Sequence, residues 1–292
     1  MKVGILTDSN SGITQADAKK YGVHVVPMPF YINGQLYYED IDLTQDQFYE
    51  KLTQGGEITT SMPITGELMD TWDKLLEDYD QIVYIPMSSG LSSSCATANM
   101  LSEDYDGKVV VVDNQRISVT LKLSVLEAKT LADMGKTGQE IKEELERVKF
   151  ESTIYITVDT LEYLKKGGRL TPAVATIGSL LKIKPVLSIY GEKLDKYSLA
   201  RTMKAAKSTM IEALKKDMKN VLKTDNLDDV IISIAHTQNY EAAEKFKEEL
   251  LAEFPGKEIW IDPLSLSVSC HIGPGALACT VTKKLVDTGF IK

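Results

Sequence analysis

Ile82-Val83-Tyr84-Ile85-Pro86-Met87-Ser88-Ser89-Gly90-Leu91-Ser92-Ser93-Ser94 is the stretch from which the fold can be read. Its first four residues are all β-branched or aromatic and read as a short buried strand. The serine-rich run that follows is a loop, and Ser92 to Met100 reads as a helix. Strand, polar loop and helix in succession are the repeating unit of an α/β protein.

The same alternation extends in both directions. Residues 2–6 are almost all apolar, as in a strand buried on both faces, and Asp8-Ser9-Asn10-Ser11-Gly12 follows as a polar loop. Val23–Val26 and Val109–Val112 are further strands. Thr44-Gln45-Asp46-Gln47 is a capping box ahead of Phe48 and Leu52, and Thr137-Gly138-Gln139-Glu140 is a second one. Leu68, Trp72, Leu75 and Leu76 form an amphipathic stripe, and Val119 to Met134 also reads as a helix. This half predicts a doubly wound parallel sheet.

Beyond about residue 151 the pattern changes. Ile154–Val158 reads as a strand and Leu161–Lys166 as a short helix stopped by Gly167-Gly168. Pro185–Tyr190 and Lys193–Ser198 flank Gly191-Glu192 as an antiparallel hairpin. A long helix follows Arg201, with Met203, Ala206, Met210 and Leu214 as its stripe. Ile231–Ala235, a helix from Tyr240 to Phe254 and Ile259–Ile261 form a strand–helix–strand unit. Ser267–Ile272 is expected to be a last strand, leading through Gly273-Pro274-Gly275 into a terminal helix. The expectation is two domains: 1–151, a parallel α/β domain, and 152–292, an α/β domain with a mixed or antiparallel sheet.

Composition excludes several functions. The 292 residues carry a net charge of −9, which argues against a sequence-independent grip on nucleic acid. Cys95, Cys270 and Cys279 form no CxxC pair, and Cys270-His271 lacks a further pair of ligands, so no metal site is expected. Isolated thiols, an N-terminal strand that turns polar at Thr7-Asp8, and the lack of a membrane-length apolar run point to a cytoplasmic protein. No cofactor motif survives inspection: there is no phosphate loop, and Gly273-Pro274-Gly275-Ala276-Leu277-Ala278 has too little chain after it for a dinucleotide unit.

Ligands of open α/β sheets sit beyond the carboxyl ends of the strands. Four hydroxyl-rich segments fit that position: Asp8 to Ser11, Thr59 to Pro63, Ser88 to Ser94, and Asp113-Asn114-Gln115. Serine at a helix start can simply cap it. Five serines within Ser88–Ser94 exceed that need and favour an anion at the helix N-terminus. Thr60-Ser61 reads as a cap for the helix that carries Trp72. His271 stands at an expected strand end beside a glycine-rich turn and could donate to a carboxylate. Gly90-Leu91-Ser92-Ser93-Ser94 is no nucleophile elbow, which counts against a lipid hydrolase built on Ser92 and His271. The carboxylates Asp8, Asp113, Asp159 and Asp262 read as turn or cap residues. Arginines are few: Arg116, Arg147, Arg169 and Arg201. Arg201 opens a helix, the wrong end for a cation, and so calls for another partner.

Thr7-Asp8-Ser9, Thr60-Ser61-Met62-Pro63, Ser88-Ser89-Gly90-Leu91-Ser92, Tyr163 to Arg169, Lys184-Pro185-Val186-Leu187 with Gly191, and His271-Ile272-Gly273-Pro274-Gly275 occur in an order and spacing that resembles the DegV family. These are the fatty-acid-binding subunits of bacterial fatty-acid kinases. The chain departs from the family pattern at Met62, at Ser93, and at Asn114 after Asp113. The resemblance implies a long-chain fatty acid held between two domains and no catalysis by this chain. It implies that Thr60 and Ser92 hydrogen-bond the carboxylate, with Ser61 and Ser93 beside them and His271 in support. It further implies that Arg169 and Arg201 face the catalytic subunit of the kinase. The expected partners are therefore a long-chain fatty acid and that kinase, with no transmembrane segment and room for transient membrane contact. A lipid-sensing regulatory module would need the same pocket and is the alternative.

Overall fold

A computed structural model describes residues 1–168, 171–175, 183–191 and 193–290. By contacts the chain divides into two units. The first comprises Met1–Lys149 with Ser265–Ser267 and Leu285–Phe290; the second comprises the described residues of Phe150–Leu264 with Val268–Lys284.

The first unit contains β1 (Val3–Asp8), α1 (Gln15–Tyr21), β2 (His24–Val26), β3 (Pro29–Ile32), β4 (Gln35–Tyr38), α2 (Gln45–Thr53), β5 (Ile58–Thr60), α3 (Thr65–Leu75), β6 (Gln81–Ile85), α4 (Ser94–Ser102), β7 (Val109–Val111), α5 (Ser118–Asp133) and α6 (Gly138–Arg147). Its main sheet has the order β2-β1-β6-β7, parallel throughout. Alternate residues of each strand feed opposite cores, as the period-2 side-chain geometry requires. Ile5, Val83 and Ile85 pack with Leu121, Val125 and Ile141 on one face. Leu6, Ile82, Tyr84 and Val111 pack with Leu68, Trp72, Cys95 and Ala98 on the other. Both expected capping boxes are present, on Thr44 with Gln47 and on Thr137 with Glu140.

A second, antiparallel sheet, β4-β3-β5, is absent from the sequence reading. Asn33 and Gly34 turn its hairpin with φ of 52° and 80°. Both central residues of a type I′ turn need such values, and Asn-Gly is its strongest signature. Phe30 of this sheet meets Phe48 edge-on at 5.7 Å.

The second unit contains β8 (Ser152–Thr157), α7 (Glu162–Lys166), α8 (Pro172–Ala175), β9 (Lys184–Tyr190), β10 (Lys193–Ala200), α9 (Met203–Asn220), β11 (Val230–His236), α10 (Tyr240–Glu253), β12 (Trp260–Pro263), all but the first two residues of α11 (Leu266–Ile272), and β13 (Leu277–Lys283). Its sheet runs β10-β9-β8-β13-β11-β12, antiparallel except for the β11–β12 pair. Met210 and Leu214 of α9 and Phe246 and Leu250 of α10 share a core with Val186, Ile232 and Cys279. The fold is thus α/β, with a parallel sheet in one unit and a mixed sheet in the other.

Two expected elements exchange type. Residues 267–272, expected as a strand, lie in helix α11, and the expected terminal helix is strand β13. The alternation Ser267-Val268-Ser269-Cys270 imitates a strand, but Ser267, Ser269 and Cys270 are all buried and the serine hydroxyls are satisfied locally or by loop partners. In β13 the run Thr280-Val281-Thr282 carries β-branched side chains that suit a central strand. Among the described residues no helix is long and apolar enough to cross a membrane.

Candidate functional site

In the first unit the strand order reverses between β1 and β6, so the loops after these strands flank the crevice of a doubly wound sheet. Asp8 ends β1 and is fully buried. Its carboxylate accepts N–H bonds from Asn10 at 2.9 Å and from Met87 at 2.9 Å, tying the two loops together. Burial pushes its pKa up to about 6 against the pull of those donors. The sequence placed Asp8 as a cap residue, and it does cap the 3-10 turn Ser9–Ser11.

Glu39 was not singled out from the sequence. It is buried, accepts from the Ser9 hydroxyl at 3.0 Å and from the Leu266 N–H at 2.6 Å, and burial lifts its pKa to about 7. Ser9 accepts in turn from Met28 N–H at 3.1 Å. Ser267 donates to the Asn10 side-chain oxygen, so residues 265–267 are bound into the same network. No local pattern announces a carboxylate whose partner lies 227 residues away.

The serine loop starts with Ser88, whose N–H meets the Arg116 carbonyl at 2.9 Å and whose carbonyl receives Leu91 and Ser92 N–H at 3.0 and 3.2 Å. Ser89 N–H donates to Asp113 at 3.4 Å, which ties this loop to the one after β7. Ser92 accepts from Ser94 N–H at 3.2 Å and so takes one donor of the first turn of α4. Ser93 is the N-cap residue, yet its side chain makes no cap. Ser93 is exposed and Ser92 half-buried. Capping therefore accounts for Ser92, while Ser93 leaves its hydroxyl uncommitted to the helix start.

Thr60 ends β5, paired with Phe30, and is half-buried; Ser61 is exposed and its N–H bonds the Pro29 carbonyl at 3.3 Å. Neither caps α3, which begins at Thr65 behind Ile64 without a side-chain cap. The expectation of a cap fails because Met62, Pro63 and Ile64 separate Ser61 from the helix, and the edge of the small sheet has claimed Thr60 instead.

The second unit holds His271 near the C-terminal end of α11, not at a strand end. The turn after it is fixed by neutral groups. Thr237 donates its hydroxyl to Gly273 O at 2.6 Å and accepts from Ala276 N–H at 2.9 Å, while its carbonyl takes Gly275 N–H at 2.7 Å. Asn239 donates to Gly275 O at 3.0 Å. Gly273 has φ +77° and faces the Tyr163 ring; a Cβ built there would lie 2.2 Å from Tyr163 Cδ2. Gly275, at φ +85°, would put one 2.5 Å from Asp159 Oδ2. Asp159, a turn carboxylate by sequence, also pairs with Lys184.

The arginines part company. Arg116 is buried, donating to Ser124 Oγ at 2.9 Å and Val148 O at 3.0 Å, 3.9 Å from buried Glu127. Arg147 pairs with Glu144 on the surface of α6 at 2.6 Å. Arg201 is exposed just before α9, where Thr202 caps, and makes no ion pair among the described residues. Arg169 lies outside the described residues. Ser92 with Ser93, and Thr60 with Ser61, thus belong to loops of the first unit, and His271 and Arg201 to the second.

The model for uncharacterised proteins of the DegV family matches residues 2–284. Among curated proteins, Protein DegV of Bacillus subtilis (strain 168) is 32% identical over 282 residues, 95% of this chain and 98% of that one. A fatty-acid-binding DegV family protein of Thermus thermophilus is similar in structure, with a TM-score of 0.88 and 27% identity over 97% of this chain and 100% of that chain. DegV of Bacillus subtilis, a fatty-acid-binding protein, has a TM-score of 0.86 and 30% identity, with coverage of 97% and 100%. With matches that run almost end to end in sequence and in fold, this chain belongs to the DegV family.

Proposed function

We propose that this chain binds a long-chain fatty acid and presents its carboxylate to a fatty-acid kinase for conversion to an acyl phosphate. The observation that carries this reading is the likeness, along 97% of the chain, to two DegV proteins that bind fatty acids. The loop geometry supports it: a helix start without a cap from Ser93, hydroxyls at Thr60, Ser61 and Ser92, and a histidine on a rigid turn suit a carboxylate. In this reading Thr60, Ser61, Ser92, Ser93 and His271 hold the head group, and Arg169 and Arg201 meet the kinase. At about 0.8 kcal/mol per methylene, roughly 14 methylenes offer on the order of 11 kcal/mol gross. Ordering the acyl chain removes a good part of that. The tail supplies affinity and the hydroxyls supply orientation. The chain itself binds rather than catalyses, and it acts in the cytoplasm, which suits three free, buried thiols.

The test is organic extraction of the purified protein followed by mass spectrometry. A stoichiometric fatty acid is expected, with less retained in Thr60→Ala and Ser92→Ala while the fold persists. Arg201→Ala should keep its lipid and lose acyl-phosphate formation with the kinase. An empty protein that takes up no added fatty acid, or one that hydrolyses lipid esters, would overturn the reading.

A further inference from the structure

Two glycines end α7, and only one is explained by its backbone. Gly168 has φ +66°, the left-handed value that closes a helix, and a Cβ there would meet nothing within 4 Å. Gly167 has an ordinary helical conformation, φ −74° and ψ −8°, which any residue adopts. What forbids a side chain at Gly167 is His271. A Cβ built there would lie 2.0 Å from His271 Nδ1 and 3.0 and 3.1 Å from Cε1 and Cγ. The Nδ1 edge of the imidazole therefore rests on the Gly167 backbone, and Nε2 lies on the far side of the ring. A second close approach in the same unit, Tyr163 against Gly273, and the Thr237 bonds to Gly273 and Ala276 fix the turn that carries the histidine. Tyr163 and Gly167 are consecutive turns of one short helix, so both approaches are made by a single element.

We propose that Gly167 is a positioning residue for His271: by having no side chain it seats the imidazole with Nδ1 inward and presents Nε2 to the bound carboxylate. This rests on the assignment of His271 to the head group in the proposed function. Nε2 is then the ring nitrogen turned toward the ligand, and the Gly167 backbone sets the side on which it lies.

The experiment compares wild type, Gly167→Ala and Gly168→Ala by long-range proton–nitrogen NMR of the histidine rings. His271→Gln identifies the signals among the three histidines. In Gly167→Ala the His271 ring shifts and titration midpoint should change, while those of His24 and His236 stay. Palmitate retention should fall about tenfold. Gly168→Ala should leave the His271 signals in place. Unchanged His271 signals in Gly167→Ala would overturn the inference. Changed signals with wild-type palmitate retention would leave Gly167 as the positioning residue and remove His271 from the head group. Should Gly167→Ala fail to fold, the Gly167→Ala, His271→Ala double variant decides: recovered folding supports the contact, and continued failure refutes it.

Discussion

The two units fasten their loops by different means. In the first, buried carboxylates do it: Asp8 receives Met87 and Asn10 N–H groups, and Glu39 receives Ser9 and Leu266. In the second, neutral groups do it: Thr237 and Asn239 hold the turn after His271, and glycines let backbone and rings touch. Both arrangements satisfy buried backbone groups, as any buried loop must. The difference is that titrating carboxylates hold the loops of the first unit, while the Thr237 and Asn239 side chains that hold the turn of the second carry no titrating group.

The two tryptophans turn this contrast into measurements. Trp72 is fully buried in the first unit, and Trp260 stands on β12 of the second. Trp260→Phe leaves Trp72 to report the first unit, and Trp72→Phe does the reverse. The largest effect is expected for Glu127→Ala, which strands the buried Arg116 guanidinium. A cost of about 3–5 kcal/mol in urea unfolding should appear in the Trp72 signal. An equal loss in the Trp260 signal would mean that the units unfold together, and the contrast would lapse for stability.

The next effect is pH dependence. Folding raises Asp8 from 3.8 to about 6 and Glu39 from 4.5 to about 7. The folded chain then holds protons that the unfolded chain has released, so this stabilisation is full below about pH 4 and is lost as pH rises through 6 and 7. Each group accounts for on the order of 3 kcal/mol. The Trp72 midpoint should fall between pH 5 and pH 8, and Asp8→Asn with Glu39→Gln should make the fall shallower, leaving the part due to Glu127, which burial also raises to about 7; a flat wild-type profile would refute the account. The smallest effect is Thr237→Val, which leaves Gly273 O and Ala276 N–H without their hydroxyl. It should cost about 2 kcal/mol, read by Trp260, with the same value at both pH extremes.

What could be read from the sequence was local. The strands at Val3–Asp8, Gln81–Ile85 and Val109–Val111 are apolar on both faces, and Thr44 and Thr137 carry their capping partners three residues away. The serine-rich start of α4 was legible for the same reason. What escaped depends on distant partners. Glu39 matters because of Leu266, and Gly167 because of His271, pairs that no short window contains. Residues 267–272 alternate like a strand but form a helix whose first N–H is taken by Glu39. The β3–β5 sheet did carry a local signal, Asn33-Gly34, between strands too short to stand out.

The strand order of the second unit bears on its birth at the ribosome. β13, last to be synthesised of its strands, sits in the middle of the sheet, joining β8 on one side and β11 on the other. Until it emerges, β10-β9-β8 and β11-β12 are two fragments with open edges, templates for pairing with other nascent chains. Ser152 must wait for Thr282, its partner across 130 residues. At about 5–20 residues per second that interval lasts several seconds, a window in which a chaperone that shields strand edges has work to do.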